Sequence, residues 1–308
     1  MTPRVLVTGA AGFIAGHLAG ALRGAGVARI AGVDRQAVPA GRVDVAHLAD
    51  LLNAADVARV VAEWRPDEVY HLVGDARGPE ADVSRSNIET ARTLLAAIRA
   101  HAPEAAVVLL GSAAEYGEVP ANAQPVTESW EGHPQSAYGR AKQQVSRLAV
   151  AAADDGMRVV VARPFNVVGA RVPATLVVGA VVERLRLAVA ADGPRRIQVG
   201  DTTGVRDFVD AGDVAGGLVR LARRGAPGSA YNLCTGRGHT VADVVERLVR
   251  LAGGGVEVAS VPGLSRPGDV RALVGSPARA AMLGWRAERS LDDSLADAWA
   301  AAPAAVRV

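Results

Sequence analysis

Apolar residues in the first half of the chain follow two alternating patterns. Short runs rich in valine, leucine and isoleucine have the length and composition of buried strands, and the segments between them carry apolar residues at helical spacing. The predicted strands are residues 4–8, 28–34, 68–73, 106–110 and 157–162, and the predicted helices are residues 13–23, 53–64, 86–100 and 137–153. This alternation predicts a doubly wound α/β fold, in which a parallel sheet carries helices on both faces.

The first predicted strand ends in a glycine-containing turn that leads into the first helix. Gly9 and Gly12 stand in this turn, and Phe13 and Ile14 begin the helix. Glycine lets the backbone approach a pyrophosphate closely, and the phosphates then face the unpaired N–H groups at the helix N-terminus. The sequence therefore predicts a Rossmann-type dinucleotide coenzyme site that contains these four residues.

The second predicted strand ends in Asp34, about 20 residues after the glycine turn. A carboxylate at this place accepts hydrogen bonds from the adenosine ribose and repels a 2′-phosphate, which favours NAD(H). The neighbouring Arg35 could hold such a phosphate, so NADP(H) stays open as an alternative. Further coenzyme contacts are expected after this strand, at the end of the third strand and just beyond the fifth, from Asp44, Val45, Leu72, Val73 and Pro164.

From residue 166 onward the alternation is less regular. It predicts helices over residues 175–189, 211–223 and 241–252, and short strands over residues 196–199 and 230–233. We therefore divide the chain into a dinucleotide-binding domain over residues 1–165 and a smaller α/β substrate-binding domain over residues 166–308. Some segments of the second domain are expected to return to the main sheet.

A tyrosine and a lysine four residues apart share one face of the predicted helix 137–153. They are Tyr138 and Lys142, and Ser112 follows the fourth predicted strand. Beside a nicotinamide coenzyme, these three side chains can move a proton while hydride moves to or from carbon. The ammonium and the positive nicotinamide ring favour the phenolate form of the tyrosine, and the serine holds the reacting oxygen. We predict that all three are catalytic and that Tyr138 and Lys142 also contact the coenzyme.

Composition narrows the classes of function. The 308 residues include 34 basic and 32 acidic ones, which are scattered rather than clustered and so indicate no nucleic-acid surface. No apolar stretch has the length of a membrane span and no signal peptide precedes the first strand, so we expect a cytoplasmic protein without membrane contact. The single cysteine, Cys234, excludes an internal disulfide and a thiolate metal cluster, and no metal site is predicted.

Short motifs follow one another in a defined order: Thr8 to Ile14, Gly111 to Gly117, Tyr138 with Lys142, Arg163 to Asn166, Arg206 to Phe208 and Arg266 to Asp269. Together they resemble the extended short-chain dehydrogenase/reductase family that acts on nucleotide sugars, over essentially the whole chain. The resemblance implies a nucleotide-diphosphate-sugar substrate held by Asn166, Arg206 and Arg266, with Ser112 and Ala113 beside the sugar. Guanidinium groups suit this role because they bind diphosphates in bidentate geometry.

The residues after Ser112 bear on the reaction. Ala113 and Ala114 stand where the family's dehydratases carry a second acid/base pair, so a 4,6-dehydratase, and likewise a decarboxylase, is disfavoured. Glu115 comes one residue later and is expected to point elsewhere. The motifs most resemble those of GDP-4-keto-6-deoxymannose reductases, which implies reduction of a 4-keto-6-deoxy sugar with Tyr138 as proton donor. Two alternatives stay open: a 4-epimerase with tightly bound NAD, and a catalytically inactive nucleotide-binding module.

The family resemblance also implies a homodimer. Its interface would be a bundle of four helices, made by the segments 86–100 and 137–153 of two copies. Four apolar residues on these helices are expected either at that seam or in the core beneath it: Leu94, Ile98, Val145 and Leu148.

Overall fold

The computed structural model describes residues 2–264 and 270–302. In chain order the strands are β1 (Arg4–Thr8), β2 (Arg29–Asp34), β3 (Val45–Leu48), β4 (Glu68–His71), β5 (Ala106–Leu110), β6 (Val159–Pro164), β7 (Asn166–Val168), β8 (Arg196–Val199), β9 (Val205–Asp210), β10 (Ala230–Leu233), β11 (Gly238–Thr240), β12 (Glu257–Ser260) and β13 (Ala272–Leu273). The α-helices are α1 (Phe13–Gly24), α2 (Ala54–Trp64), α3 (Glu80–Ser84), α4 (Thr90–His101), α5 (Ala137–Asp154), α6 (Val177–Ala190), α7 (Ala211–Arg224), α8 (Val241–Leu251), α9 (Ala278–Met282) and α10 (Leu291–Ala300). Over the part of the chain that is described, none of these helices has the length and apolar character needed to cross a membrane.

The main sheet confirms the predicted doubly wound fold. Among the described residues it has seven strands, all parallel, in the order β10-β6-β5-β4-β1-β2-β3. The order reverses at β1, because the chain first builds outward through β2 and β3 and then returns to place β4 on the other side. Ligands of such sheets bind at the carboxyl ends of the strands beside this reversal. The turns after β1, β2, β4 and β5 therefore face one site.

Helices cover both faces of the main sheet. On one face α1 and α7 pack together through buried residues that include Leu18, Leu22 and Leu218. On the other face α2, α4 and α5 bury a second apolar layer. Of the four residues considered for a dimer seam, three belong to this layer: Leu94, Ile98 and Val145. The fourth, Leu148, is partly buried and packs against it.

The segment after residue 166 builds a smaller unit over the carboxyl end of the sheet. Its central strand β9 pairs with β7 and β13 in parallel and with β11 antiparallel, and β8 pairs with β12. Helices α6, α8 and α10 pack on these strands around one apolar cluster. Strand β10 and helix α7 come from the same segment but lie in the main sheet and its covering layer. The boundary at residue 165 stays a prediction.

In the main sheet and its covering helices, one edge strand and one helix start differ from the sequence-based expectation. Strand β3 occupies residues for which the sequence predicts no strand, because it is a four-residue edge strand with mostly exposed side chains and so lacks an apolar pattern. The predicted helix 86–100 begins at Glu80, directly after Pro79, and runs through a π-helical turn at Arg85–Glu89 into α4. Such wider turns place side chains that a regular helix would not, often at functional sites.

Candidate active site

The turn between β1 and α1 allows close approach of another backbone. Gly9 has φ +73°, and a side chain there would lie 3.1 Å from the backbone of Leu72 and Val73. Gly12 precedes α1 in an extended conformation, and the helix has no side-chain cap and no acidic residue in its first turn. The first N–H groups of α1 are thus available to an anion, which is what a coenzyme pyrophosphate requires.

Two charged side chains hold this turn. Asp34, at the carboxyl end of β2, accepts a hydrogen bond from the Ala11 N–H at 3.0 Å. Arg42, which the sequence patterns did not single out, donates from one guanidinium nitrogen to the carbonyl groups of Ala10 and Gly12 at 2.8 and 2.9 Å. The backbone on the adenosine side of the predicted coenzyme site is therefore held by hydrogen bonds, from an N–H group to the Asp34 carboxylate and from the Arg42 guanidinium to two carbonyl groups.

Gly9→Ala is expected to raise the dissociation constant of NADH by about tenfold or more, since each 1.4 kcal/mol of lost binding is tenfold. A side chain at φ +73° that also meets the β4 backbone displaces the turn. Fluorescence titration with NADH measures the effect. Gly26→Ala is the matched control, because Gly26 has φ +77° with no atom within 4 Å of an added side chain. Equal affinities of the two variants for NADH would contradict the assignment of the Gly9 turn to the coenzyme site.

Asp44 and Val45 lie at the opposite end of the sheet from the site. Asp44 accepts hydrogen bonds from the Ile30 N–H at 2.7 Å and from Arg23 at 2.6 Å, near the amino end of β2. The Ile30 N–H is the main cause of a lowered pKa of Asp44. Val45 is the first residue of β3, so the carboxyl end of that strand comes three residues later, at Leu48. The structure therefore does not place these two predicted residues at the coenzyme site.

Asn87 is a further candidate site residue, which no sequence pattern singles out. It lies in the π-helical turn, is fully buried, and donates to the Asp75 carbonyl at 2.9 Å. Its Oδ1 atom has no hydrogen-bond partner within the described chain, and a side chain at Gly74 would overlap both this atom and Lys142 Nζ. Buried acceptors without partners are rare. An acceptor and an ammonium side by side fit a hydroxyl group such as those of a coenzyme ribose.

Ser112 begins a single 3₁₀ turn, Ala113–Glu115, directly after β5. Its hydroxyl oxygen accepts the Ala114 N–H at 3.2 Å, and its own N–H donates to the Glu115 carboxylate at 2.9 Å. This reciprocal capping fixes the serine rotamer. Its O–H is left to donate to a ligand oxygen or to Tyr138, and the hydrogen bond to Tyr138 acts to lower the pKa of that phenol.

Tyr138 and Lys142 project from the same face of α5. The ammonium of Lys142 lies 5.7 Å from the centroid of the Tyr138 ring. Lys142 is 2% exposed, and its ammonium donates to the carbonyl groups of Leu110 at 2.8 Å and Val73 at 3.2 Å. Backbone at the ends of β5 and β4 therefore holds the lysine beside the tyrosine, and the structure brings together the three predicted catalytic residues.

The two titratable groups on α5 have opposite pKa shifts. Burial raises the pKa of Tyr138 to about 12, and the charges of Glu115 and Asp75 add to this rise. Burial lowers the pKa of Lys142 to about 8, although Glu115 acts to raise it. The lysine thus loses its proton at a lower pH than the tyrosine. In the protein without coenzyme, burial and the nearby carboxylates therefore favour the protonated form of Tyr138.

Asn166 and Arg206 line a cavity of about 270 Å³ in the smaller unit, together with Phe208 and apolar residues of α6 and α8. Arg206 is 8% exposed and donates to the Val205 carbonyl at 2.9 Å. Asn166 donates to the Asp207 carbonyl at 3.1 Å. The structure therefore brings these two predicted substrate residues to one cavity.

Three further predicted contacts have different outcomes. Pro164 is buried at the end of β6. The side chain of Ala113 is 5% exposed and packs in an apolar cluster with Tyr116 and Phe165, so its contact with substrate stays a prediction. Arg266 lies outside the described residues.

The chain matches the NAD dependent epimerase/dehydratase family over residues 5–234. It is similar to a GDP-6-deoxy-D-mannose reductase from Pseudomonas aeruginosa, with 30% identity over 302 residues that cover 96% of this chain and 95% of the relative. The UDP-glucose 4-epimerase of Thermus thermophilus in complex with NAD has a TM-score of 0.84 and 29% identity, covering 97% and 98% of the two chains. The structure of RMD from Pseudomonas aeruginosa with NADPH has a TM-score of 0.84 and 28% identity over the same shares.

These similarities agree with the geometry at the carboxyl edge of the sheet. The uncapped first turn of α1 and the Tyr138–Lys142 pair are what a nicotinamide-dependent enzyme needs. The prediction of such an enzyme, of the extended short-chain dehydrogenase/reductase type, is confirmed. The chain is a member of the NAD dependent epimerase/dehydratase family.

Proposed function

We propose that the protein is an NAD(P)H-dependent reductase of a 4-keto-6-deoxy nucleotide sugar, with a GDP-4-keto-6-deoxyhexose as the substrate type. One observation carries this proposal: Tyr138 lies on one face of α5 with the Lys142 ammonium 5.7 Å from the centroid of its ring, and burial raises its pKa, so it is protonated at working pH and can donate a proton. Ketone reduction consumes one proton with the hydride. A dehydration would need a second acid or base, which Ala113 and Ala114 cannot supply. The similarity to a GDP-6-deoxy-D-mannose reductase supports the same reaction class.

Each catalytic side chain has a separate task in this reaction. Bound NAD(P)H supplies the hydride. The Ser112 hydroxyl donates a hydrogen bond to the keto oxygen, and Tyr138 gives its proton to that oxygen as negative charge develops there. The ammonium of Lys142 lies beside the phenolate that is left and, because it has the lower pKa, is the group able to return the proton.

The nucleotide diphosphate is proposed to bind in the cavity lined by Asn166 and Arg206. A largely buried guanidinium such as that of Arg206 can form paired hydrogen bonds to phosphate oxygens. Arg266 is proposed to join this site on the strength of its sequence motif.

A 4-epimerase is the second candidate. The chain is 32% identical over 311 residues to the UDP-glucose 4-epimerase of Azospirillum brasilense, and Asp34 favours NAD, which such an enzyme would retain. The same serine, tyrosine and lysine would serve an oxidation followed by a reduction of one carbon. A catalytically inactive module is disfavoured, because these three side chains are present and lie together.

Coenzyme content and coenzyme consumption distinguish the candidates. A reductase is purified without stoichiometric NAD and oxidises NADH or NADPH only when a 4-keto-6-deoxy GDP-sugar is added. Purified protein that carries NAD and interconverts C4 epimers without net consumption would support the epimerase instead. Protein that binds the nucleotide sugar but turns over neither class would indicate an inactive module.

Asp34→Asn is expected to raise the preference for NADPH over NADH by roughly five- to tenfold, because it removes about 1 kcal/mol of repulsion from a 2′-phosphate. The amide can still accept the Ala11 N–H, and the exposed Arg35 beside it remains. The ratio of kcat/KM for the two coenzymes measures the effect. Asp67→Asn, at the amino end of β4, is the control with the same change of charge. An unchanged ratio of kcat/KM for NADPH and NADH in Asp34→Asn would contradict the proposed role of Asp34 in coenzyme preference.

The homodimer through α4 and α5 also remains a proposal. Because Leu94, Ile98 and Val145 lie in the core, a seam would use the exposed side of these helices, where Val150 is 46% exposed. Light scattering of the wild type and of Val150→Glu tests this. A dimer that the substitution weakens is expected, and a monomeric wild type would contradict the proposal.

A further inference from the structure

A buried carboxylate, that of Glu115, lies behind Ser112 and takes no part in the proposed proton transfer. The residue is 1% exposed and ends the single turn that Ser112 begins. The side chain points away from the reacting atoms, as expected, but a 3₁₀ turn rather than strand-like alternation places it there. The chain forms a 3₁₀ turn here, and residues three apart in such a turn lie above one another, so Glu115 returns beneath Ser112.

The Glu115 carboxylate joins three elements. One oxygen accepts the Ser112 N–H at 2.9 Å. The other accepts the Ser146 hydroxyl at 2.6 Å and two guanidinium nitrogens of Arg163, on β6, at 2.9 and 2.8 Å. Ser146 is on α5, four residues after Lys142, so it lies on the face that carries the catalytic side chains. We call this face, with Tyr138, Lys142 and Ser146, the catalytic face of α5.

Arg163 is itself fixed from the other side. Its side chain is 13% exposed, lies 5.0 Å from the centroid of the Tyr116 ring and donates to the Tyr116 hydroxyl at 3.2 Å. That hydroxyl donates in turn to Asn232 on β10 at 2.6 Å. The ion pair with Glu115 is thus part of a buried network that joins the turn after β5 to β6 and β10, and its partners leave it little freedom to move.

The turn and the helix also touch directly. A side chain at Gly139, on α5, would lie 2.5 Å from the carbonyl oxygen of Ala114, and one at Gly111 would overlap the Glu115 carboxylate. The serine turn therefore rests on α5 with no intervening side chain. A change in the Glu115 contacts cannot be absorbed by flexible groups between the two elements.

We propose that Glu115 is a positioning residue whose anchored carboxylate fixes Ser112 against the catalytic face of α5. The proposal rests on the proposed function, in which Ser112 and Tyr138 share one substrate oxygen. A displacement of about 1 Å between groups that must act on one atom can cost 10²-fold in rate. Loss of Glu115 is therefore expected to act on kcat rather than on coenzyme binding.

Glu115 also acts on the titration of both catalytic groups. Its charge raises the pKa of Lys142 and of Tyr138. Asp75 also faces Tyr138, and His71 of β4 faces Lys142, but the pKa of His71 is lowered to about 3 by burial and by Lys142, so this ring is neutral at working pH. Removing the Glu115 charge is expected to lower the pKa of both Lys142 and Tyr138.

The test variant is the double substitution E115Q/R163Q, because E115Q alone would leave the Arg163 charge buried without a partner. We expect a folded protein whose kcat is lower by about 10- to 100-fold, with the KM of the coenzyme within about twofold of wild type. The alkaline limb of kcat/KM moves to lower pH. The phenolate absorbance of Tyr138, identified by difference from Y138F in both backgrounds, also appears at lower pH.

Two further variants separate positioning from a merely structural role. Glu68 and Arg223 form a similar ion pair, 3.0 Å apart, at the amino end of β4, so E68Q/R223Q is the matched control and should lose stability without a change in kcat or pH profile. S146A removes only the link to α5 and is expected to lower kcat by about three- to tenfold, the equivalent of roughly one hydrogen bond.

A folded E115Q/R163Q with the kcat and pH profile of the wild type would overturn the proposal. If that variant does not fold, an unchanged kcat in S146A overturns it. A wild-type protein that reduces no 4-keto nucleotide sugar contradicts the proposed function instead. In that case the phenolate titration, which needs no substrate, still decides whether Glu115 acts on Tyr138.

Discussion

Replacing Tyr138 by phenylalanine is expected to lower kcat by about 10²- to 10⁴-fold, the range for loss of a general acid. The aromatic ring of residue 138 remains, and so do the hydrogen bonds from Lys142 to the carbonyl groups of Val73 and Leu110. Only the proton donor is lost, so the dissociation constant of NADH should stay within about twofold of wild type. Steady-state kinetics with a 4-keto-6-deoxy nucleotide sugar and fluorescence titration with NADH measure the two quantities.

Tyr231→Phe is the matched control for this substitution. The Tyr231 hydroxyl accepts the Ala226 N–H at 2.9 Å at the amino end of β10, away from the site. Its removal should cost stability but not turnover. Wild-type turnover in Tyr138→Phe would show that another group supplies the proton.

Replacing Lys142 by methionine is expected to lower kcat by about 10²-fold or more, because the phenolate left by proton donation loses the ammonium beside it. In the wild type, kcat/KM reports the free enzyme, in which the pKa of Lys142 is about 8. The fall of kcat/KM at alkaline pH should therefore begin near pH 8 in the wild type, and the residual kcat/KM of the variant should show no such fall. A wild-type profile that is flat through this range would contradict the role of the lysine.

The same substitution has a consequence for stability that needs no substrate. The pKa of Lys142 is lowered from 10.5 to about 8 in the folded protein, so the unfolded chain binds the proton more tightly. The folded state therefore carries a penalty below pH 8 that disappears as the pH rises towards 10.5. Over this range the free energy of unfolding of the wild type should rise by about 3 kcal/mol relative to Lys142→Met. Urea unfolding at a series of pH values measures the difference, and parallel curves would contradict the lowered pKa.

The sequence predicted the parts of the site that depend on regular elements. Gly9 follows a strand in which four of the five residues are apolar or β-branched, and Tyr138 and Lys142 follow helical spacing, so periodicity places them on the elements that the structure shows. Parallel strands end at one edge, which brings Ser112 to the same place as Gly9. These relations need no knowledge of the tertiary contacts.

The residues that were missed or misplaced depend on irregular backbone. Asp44 lies just before the short edge strand β3, which has no apolar alternation to show where it starts. Asn87 lies in a π-helical turn, and Glu115 is brought beneath Ser112 by a 3₁₀ turn, so neither follows a period of 2.0 or 3.6. Arg42 reaches the glycine turn from a loop, across more than 30 residues of chain. Their positions come from tertiary contacts that local patterns do not contain.

Transfer of a label from coenzyme to sugar tests the proposed function most directly. The protein is incubated with a 4-keto-6-deoxy GDP-sugar and NADH or NADPH that carries deuterium at the transferred position, and the product is analysed by mass spectrometry and NMR. We expect one deuterium at C4 of the 4-hydroxy sugar for each coenzyme oxidised, and loss of this transfer in Tyr138→Phe. Recovery of the 4-keto sugar unreduced, with no coenzyme oxidised, would contradict the proposed function.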